Sequence, residues 1–74
     1  MLFVHIKMRS GRMYTNIVNA YTECRDDEYF LMVQKNNGDT FSIGTAEFQC
    51  HIDEPVRKIN RAIRRSPCTT VFID

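Results

Sequence analysis

Asn36-Asn37-Gly38-Asp39 interrupts two apolar runs, Tyr29–Lys35 and Thr40–Thr45, and obliges the chain to reverse there as a β-hairpin. Asn-Gly suits such a turn because both residues tolerate positive φ. Pairing across it sets Met32 against Ile43, with Phe30 and Phe41 nearby, while Tyr29, Leu31 and Val33 occupy the opposite face. A hairpin with apolar residues on both faces must be covered on both, by a helix or by closure of the sheet.

A second hairpin is legible upstream. Leu2–Arg9 and Arg12–Tyr21 flank Ser10-Gly11, which reads as a two-residue turn. That register pairs Met8/Met13, Ile6/Thr15 and Val4/Ile17 on one face, and Lys7/Tyr14, His5/Asn16 and Phe3/Val18 on the other. Further on, Phe48, Cys50 and Ile52 alternate with polar residues and suggest a fifth strand. Asp53 is a suitable N-cap, Glu54 and Pro55 suit a first helical turn, and Ser66-Pro67 ends the helix. Thr69–Ile73 reads as a final strand. The order ββ-ββ-β-α-β implies an α+β fold of one domain, residues 1–74. The expected architecture is a strongly curved antiparallel sheet or small barrel of five or six strands, with one amphipathic helix near the C-terminus. SH3-like and Sm-like barrels are the nearest generic architectures.

The helix carries the main functional signal. Five of the ten basic residues, Arg57, Lys58, Arg61, Arg64 and Arg65, fall within nine positions. At about 100° per residue they cover an arc of about 120°, with Val56, Ile59 and Ile63 opposite. The net charge of +1 conceals this, because the nine acidic residues all lie outside that stretch. Asp53 and Glu54 stand four residues before Arg57 and Lys58, in the favourable order for helical ion pairs. Arg61, Arg64 and Arg65 have no such neighbour. Four of the five cations are arginine, whose planar fork suits bidentate contact with phosphate or carboxylate. An internal partner is available in Glu23-Cys24-Arg25-Asp26-Asp27-Glu28, if that acidic loop folds over the helix. Aromatic stacking on a strand face by Phe3, Tyr14, Tyr21 or Tyr29 is a weaker nucleic-acid signal, since such residues more often serve as packing.

Other chemistries find little support. His5, Cys24, Cys50, His51 and Cys68 lack metal-ligand spacing, and buried or half-buried thiols are the simpler account of the cysteines. There is no phosphate-cradling glycine loop and no nucleophile elbow. No cofactor and no small-molecule substrate are expected. The first eight residues are too short for a signal-peptide core, no apolar run approaches membrane-spanning length, and the three cysteines form no C-x-x-C pair. These features point to a cytoplasmic protein with reduced thiols, without a membrane partner.

The expectation is a non-enzymatic binding module whose basic helix meets nucleic-acid phosphates. The alternative is a protein-interaction module, a small regulator, inhibitor or assembly factor of the kind phages and mobile elements encode. Such a module docks on an acidic protein surface or forms a homo-oligomer.

Overall fold

The computed structural model describes residues 2–44 and 51–74. Along them run β1 (Val4–Met8), β2 (Met13–Arg25), β3 (Glu28–Lys35), β4 (Thr40–Gly44), α1 (Asp53–Arg65) and β5 (Thr70–Ile73). The strands form one sheet in the order β4-β3-β2-β1-β5. The α+β class and the single helix near the C-terminus agree with the sequence, but two expectations do not. Among the described residues the sheet ends at β4 and β5 and does not close into a barrel. It is also mixed, because β5 runs parallel to β1. A hairpin turn cannot make that connection; α1 carries the chain back so that β5 enters beside β1 in the same direction. Of the proposed strand around Phe48 and Cys50, those two residues lie outside the described residues, and Ile52 belongs to the lead-in of α1.

Two hairpins share one turn, and it differs from both sequence readings. Met8 N–H donates to Arg12 C=O (2.8 Å) and Gly11 N–H to Met8 C=O (2.9 Å); Lys35 and Asp39 (2.8 Å), and Gly38 and Lys35 (3.0 Å), repeat the pattern. Each is a three-residue loop that ends on a glycine in the left-handed region, φ 97° at Gly11 and 95° at Gly38. A loop one residue shorter than expected moves every downstream side chain to the other face. Leu31 therefore pairs with Ile43, and Met32 with Ser42.

In the first hairpin the loop is one residue longer, and Ile6 faces Tyr14 and Lys7 faces Met13, in place of the expected partners. The pair Val4↔Ile17 is recovered because β2 holds an extra residue between these points. Asn16 sits there at φ 57°, a conformation that asparagine tolerates. Its N–H donates to His5 Nδ1 at 3.2 Å and its C=O accepts from Asn36 N–H at 3.0 Å, so the bulge leaves neither group unpaired.

Residues 23–28 are not a loop. β2 and β3 pair as far as Arg25↔Glu28, and Asp26-Asp27 make the whole turn with φ 52° and 62°. Two successive positive φ values define the type I′ geometry that follows the twist of a hairpin.

The helix covers one face of the sheet. Val4, Ile6, Ile17, Leu31, Val33 and Val71 pack with Ile59 and Ile63 in a single buried cluster. Burial of each such side chain is worth about 1.5–3 kcal/mol. Pro55 is also buried and Val56 partly so. Asn60 adds a polar anchor: its Oδ1 accepts from Ala20 N–H (3.1 Å) and its Nδ2 donates to Ala20 C=O (2.9 Å). Ala20 lies beyond Val4↔Ile17, the last pair of β1 with β2, so the carboxamide takes the place of a missing strand.

Candidate functional site

The charges of α1 follow its dipole. Asp53 and Glu54 occupy the first turn, Arg64 and Arg65 the last. The cap is not the expected one. Asp53 is the first helical residue, and Ile52 before it makes no side-chain cap. His51 meets the leading amides instead, with its carbonyl accepting from Glu54 N–H (2.9 Å) and its Nδ1 from Asp53 N–H (3.4 Å). At the other end Ser66 N–H returns to Ala62 C=O (2.7 Å), and Thr69 Oγ1 donates to Ser66 C=O (2.6 Å), which agrees with a stop at Ser66-Pro67.

Arg57, Lys58, Arg61, Arg64 and Arg65 are all exposed. The anticipated pairs Asp53–Arg57 and Glu54–Lys58 do not form; among the described residues no ion pair involves a cation of α1. Lys58 turns aside, and its Nζ donates to Phe72 C=O at 2.7 Å. That contact ties its ammonium to the backbone of the edge strand β5. Arg57, Lys58, Arg61 and Arg65, together with Glu54, line one open groove of about 410 Å³ along this flank. Arg64 lies outside it. The structure thus gathers four of the five predicted cations in one concavity.

The acidic hairpin does not neutralise them. A cleft lined by Thr22, Tyr29, Ile52 and Asp53 sets the outer half of β2 and β3 beside the N-terminus of α1, away from Arg64 and Arg65. Glu23 makes its ion pair within the hairpin, with Arg25 Nε at 3.7 Å. Among the described residues the acidic hairpin therefore stands apart from Arg64 and Arg65, and the one carboxylate in the cationic groove is Glu54.

The aromatic candidates do not share a platform. Tyr14 packs against Phe41 on the helix-bearing face, ring centroids 5.8 Å apart and planes tilted by 52°, and Tyr29 reaches the cleft on that same side. Phe3 and Tyr21 alternate to the other face, where Phe3 lies 5.5 Å from the His5 ring. The thiol expectation also needs correction: Cys24 and Cys68 are exposed and unbridged, while Cys50 lies outside the described residues. Among the described residues no helix is long and apolar enough to cross a membrane, and no cluster of histidine, cysteine and carboxylate side chains suits a metal ion.

Two features of this region escaped the sequence reading. Phe72, at 59% the most exposed large apolar side chain described, lies on the edge strand next to the groove. Lys58 bonds to that strand and not to Glu54. Both follow from the parallel placement of β5, which no local pattern announces. No protein-family model, curated protein or solved structure matches the chain, so the functional reading rests on this geometry.

Proposed function

We propose that this chain is a small, non-enzymatic, cytoplasmic binding module that contacts nucleic-acid phosphates through Arg57, Arg61, Arg64 and Arg65, assisted by Lys58. One observation carries the reading: the guanidinium groups of a dense cationic helix face are exposed and have no internal carboxylate partner among the described residues. Unpaired guanidinium groups at helical spacing offer repeated bidentate donors to a polyanion. Contacts of this kind position a protein on a backbone without reading bases, so binding is largely independent of sequence.

Fluorescence anisotropy with labelled mixed-sequence single- and double-stranded oligonucleotides, at about 50 and about 200 mM salt, tests this through counterion release. A log–log slope of about −3 to −4 on duplex is expected, matching three to five neutralised phosphates. Charge reversal of Arg61 and Arg64 together abolishes binding and leaves the thermal midpoint nearly unchanged, because both side chains are exposed. Absence of binding by the unaltered protein at the lower salt overturns the proposal.

A further inference from the structure

β5 is an end strand whose outer edge is largely unused. Its inner groups serve β1: Thr69 C=O accepts from His5 N–H and Ile73 C=O from Arg9 N–H, both at 2.9 Å. Strand alternation then turns the N–H and C=O of Thr70 and Phe72 outward. Lys58 Nζ, on Phe72 C=O at 2.7 Å, confirms the direction. Among the described residues, no hydrogen bond engages the N–H of Thr70, the C=O of Thr70 or the N–H of Phe72. The helix runs back along this edge, so Lys58 stands near Phe72, and Arg61 and Arg65 follow in the same groove toward the start of β5.

We propose that this edge receives an extended acidic segment of another protein as a sixth strand. The segment's backbone bonds to Thr70 and Phe72, and its alternate carboxylates meet Lys58, Arg61 and Arg65. Charge complementarity selects this occupant. A strand added to β5 places every second side chain on the face shared by Val71, Ile73 and α1, beside the cations. A second copy of this chain fits poorly, because the end strands of its described sheet, Thr40–Gly44 and Thr70–Ile73, contain no carboxylate. Two copies joined through β5 would also bring their own arginine rows together. The remaining side chains of the incoming strand fall on the face of Phe72, where its exposed ring favours apolar residues. The recognised pattern is therefore an alternation of acidic and apolar residues. Lys58 is not an obstacle: its ammonium moves from the Phe72 carbonyl to a partner carboxylate and keeps a charge-assisted bond throughout.

This inference goes beyond the phosphate reading and requires backbone groups that nucleic acid does not use. Its probe is an eight-residue peptide, about the length of an ordinary strand, alternating glutamate and valine, blocked at both ends and fluorescently labelled. Two readouts are expected with the full chain. Hydrogen exchange at the Thr70 and Phe72 amides slows by about tenfold or more at saturation, since each amide acquires a ladder bond. Anisotropy shows that N-methylation of alternate peptide amides on the ladder side weakens binding by about tenfold or more, a change confined to the peptide that cannot affect folding of the protein. Arg65→Glu also weakens peptide binding, whereas Arg64→Glu, outside the groove, leaves it within about twofold. A mixed-sequence duplex leaves exchange at Thr70 and Phe72 unchanged, which separates the two readings. Equal binding of the N-methylated and unmodified peptides, or unaltered exchange at Thr70 and Phe72, overturns the proposal, as does absence of peptide binding.

Discussion

Asn60 and Lys58 sit two residues apart on the same helix, and each meets the backbone of a strand that lacks a neighbour. Asn60 answers both groups of Ala20, in a part-buried setting. Lys58 answers only the carbonyl of Phe72, at the surface. The difference lies in the side chains. A carboxamide carries a donor and an acceptor in one plane and can imitate a peptide unit, whereas an ammonium has donors alone and cannot satisfy an N–H. The edge at Ala20 is therefore closed by the fold, and the edge at Phe72 remains half open by chemistry. A neutral amide seals the outer edge of β2 at Ala20, whereas the outer edge of β5 at Phe72 is met by a cation alone.

The comparison depends on the seating of α1, and Ile59→Ala is the harshest way to break it. Ile59 is fully buried against the sheet, and its truncation costs about 2–5 kcal/mol. That is a large share of the total for a domain of this size, about 4–11 kcal/mol at typical per-residue values. Urea denaturation is expected to show the loss, with the Ala20 amide exchanging faster as the helix loosens. An unchanged midpoint would mean that the helix is held by something other than its apolar underside.

Asn60→Ala acts on one half of the comparison. It leaves the N–H and C=O of Ala20 without partners in a part-buried position, at a cost of about 1–3 kcal/mol. Ala20 exchange should rise while the β5 amides keep their wild-type rates. If Thr70 and Phe72 respond as strongly as Ala20, the two edges form one cooperative unit and the distinction fails.

The same contrast explains what the sequence revealed. The helix and its stop at Ser66-Pro67, the final strand and the cationic row are local properties, written in apolar spacing, turn residues and runs of charge, and each is legible. The helix starts one residue earlier than a cap at Asp53 implies. Register is not legible, because it depends on whether Gly11 and Gly38 end three-residue loops and on a bulge at Asn16. A slip of one residue is invisible to composition yet reverses the two faces, as Leu31 and Met32 demonstrate. The acidic run 23–28 hid a tight turn because aspartate, unlike glycine, rarely announces a left-handed pair. Of the candidate site, the run of five cations is legible in the sequence, but the directions those side chains take are not. The direction taken by Lys58 follows from the parallel pairing of β5 with β1, a contact between the two ends of the chain.

Lys58→Met is the mildest change and the sharpest test. The substitution removes one charge-assisted bond at the surface, worth about 0.2–1 kcal/mol for exposed charged contacts. It also removes the like-charge pair with Arg61, which returns about 0.2–0.5 kcal/mol at low salt. The two effects oppose each other, so stability in urea should stay within about 0.5 kcal/mol of the unaltered protein. Methionine is likewise unbranched, apolar along its length and close to the lysine stem in size, so packing against the helix flank changes little. Raising the salt screens the repulsion and should make the variant slightly less stable relative to the unaltered protein, because a contact with a neutral carbonyl is screened less than one between two full charges. A loss as large as that of Asn60→Ala would show that Lys58 seals β5 as Asn60 seals β2, and the edge would no longer be open to a partner.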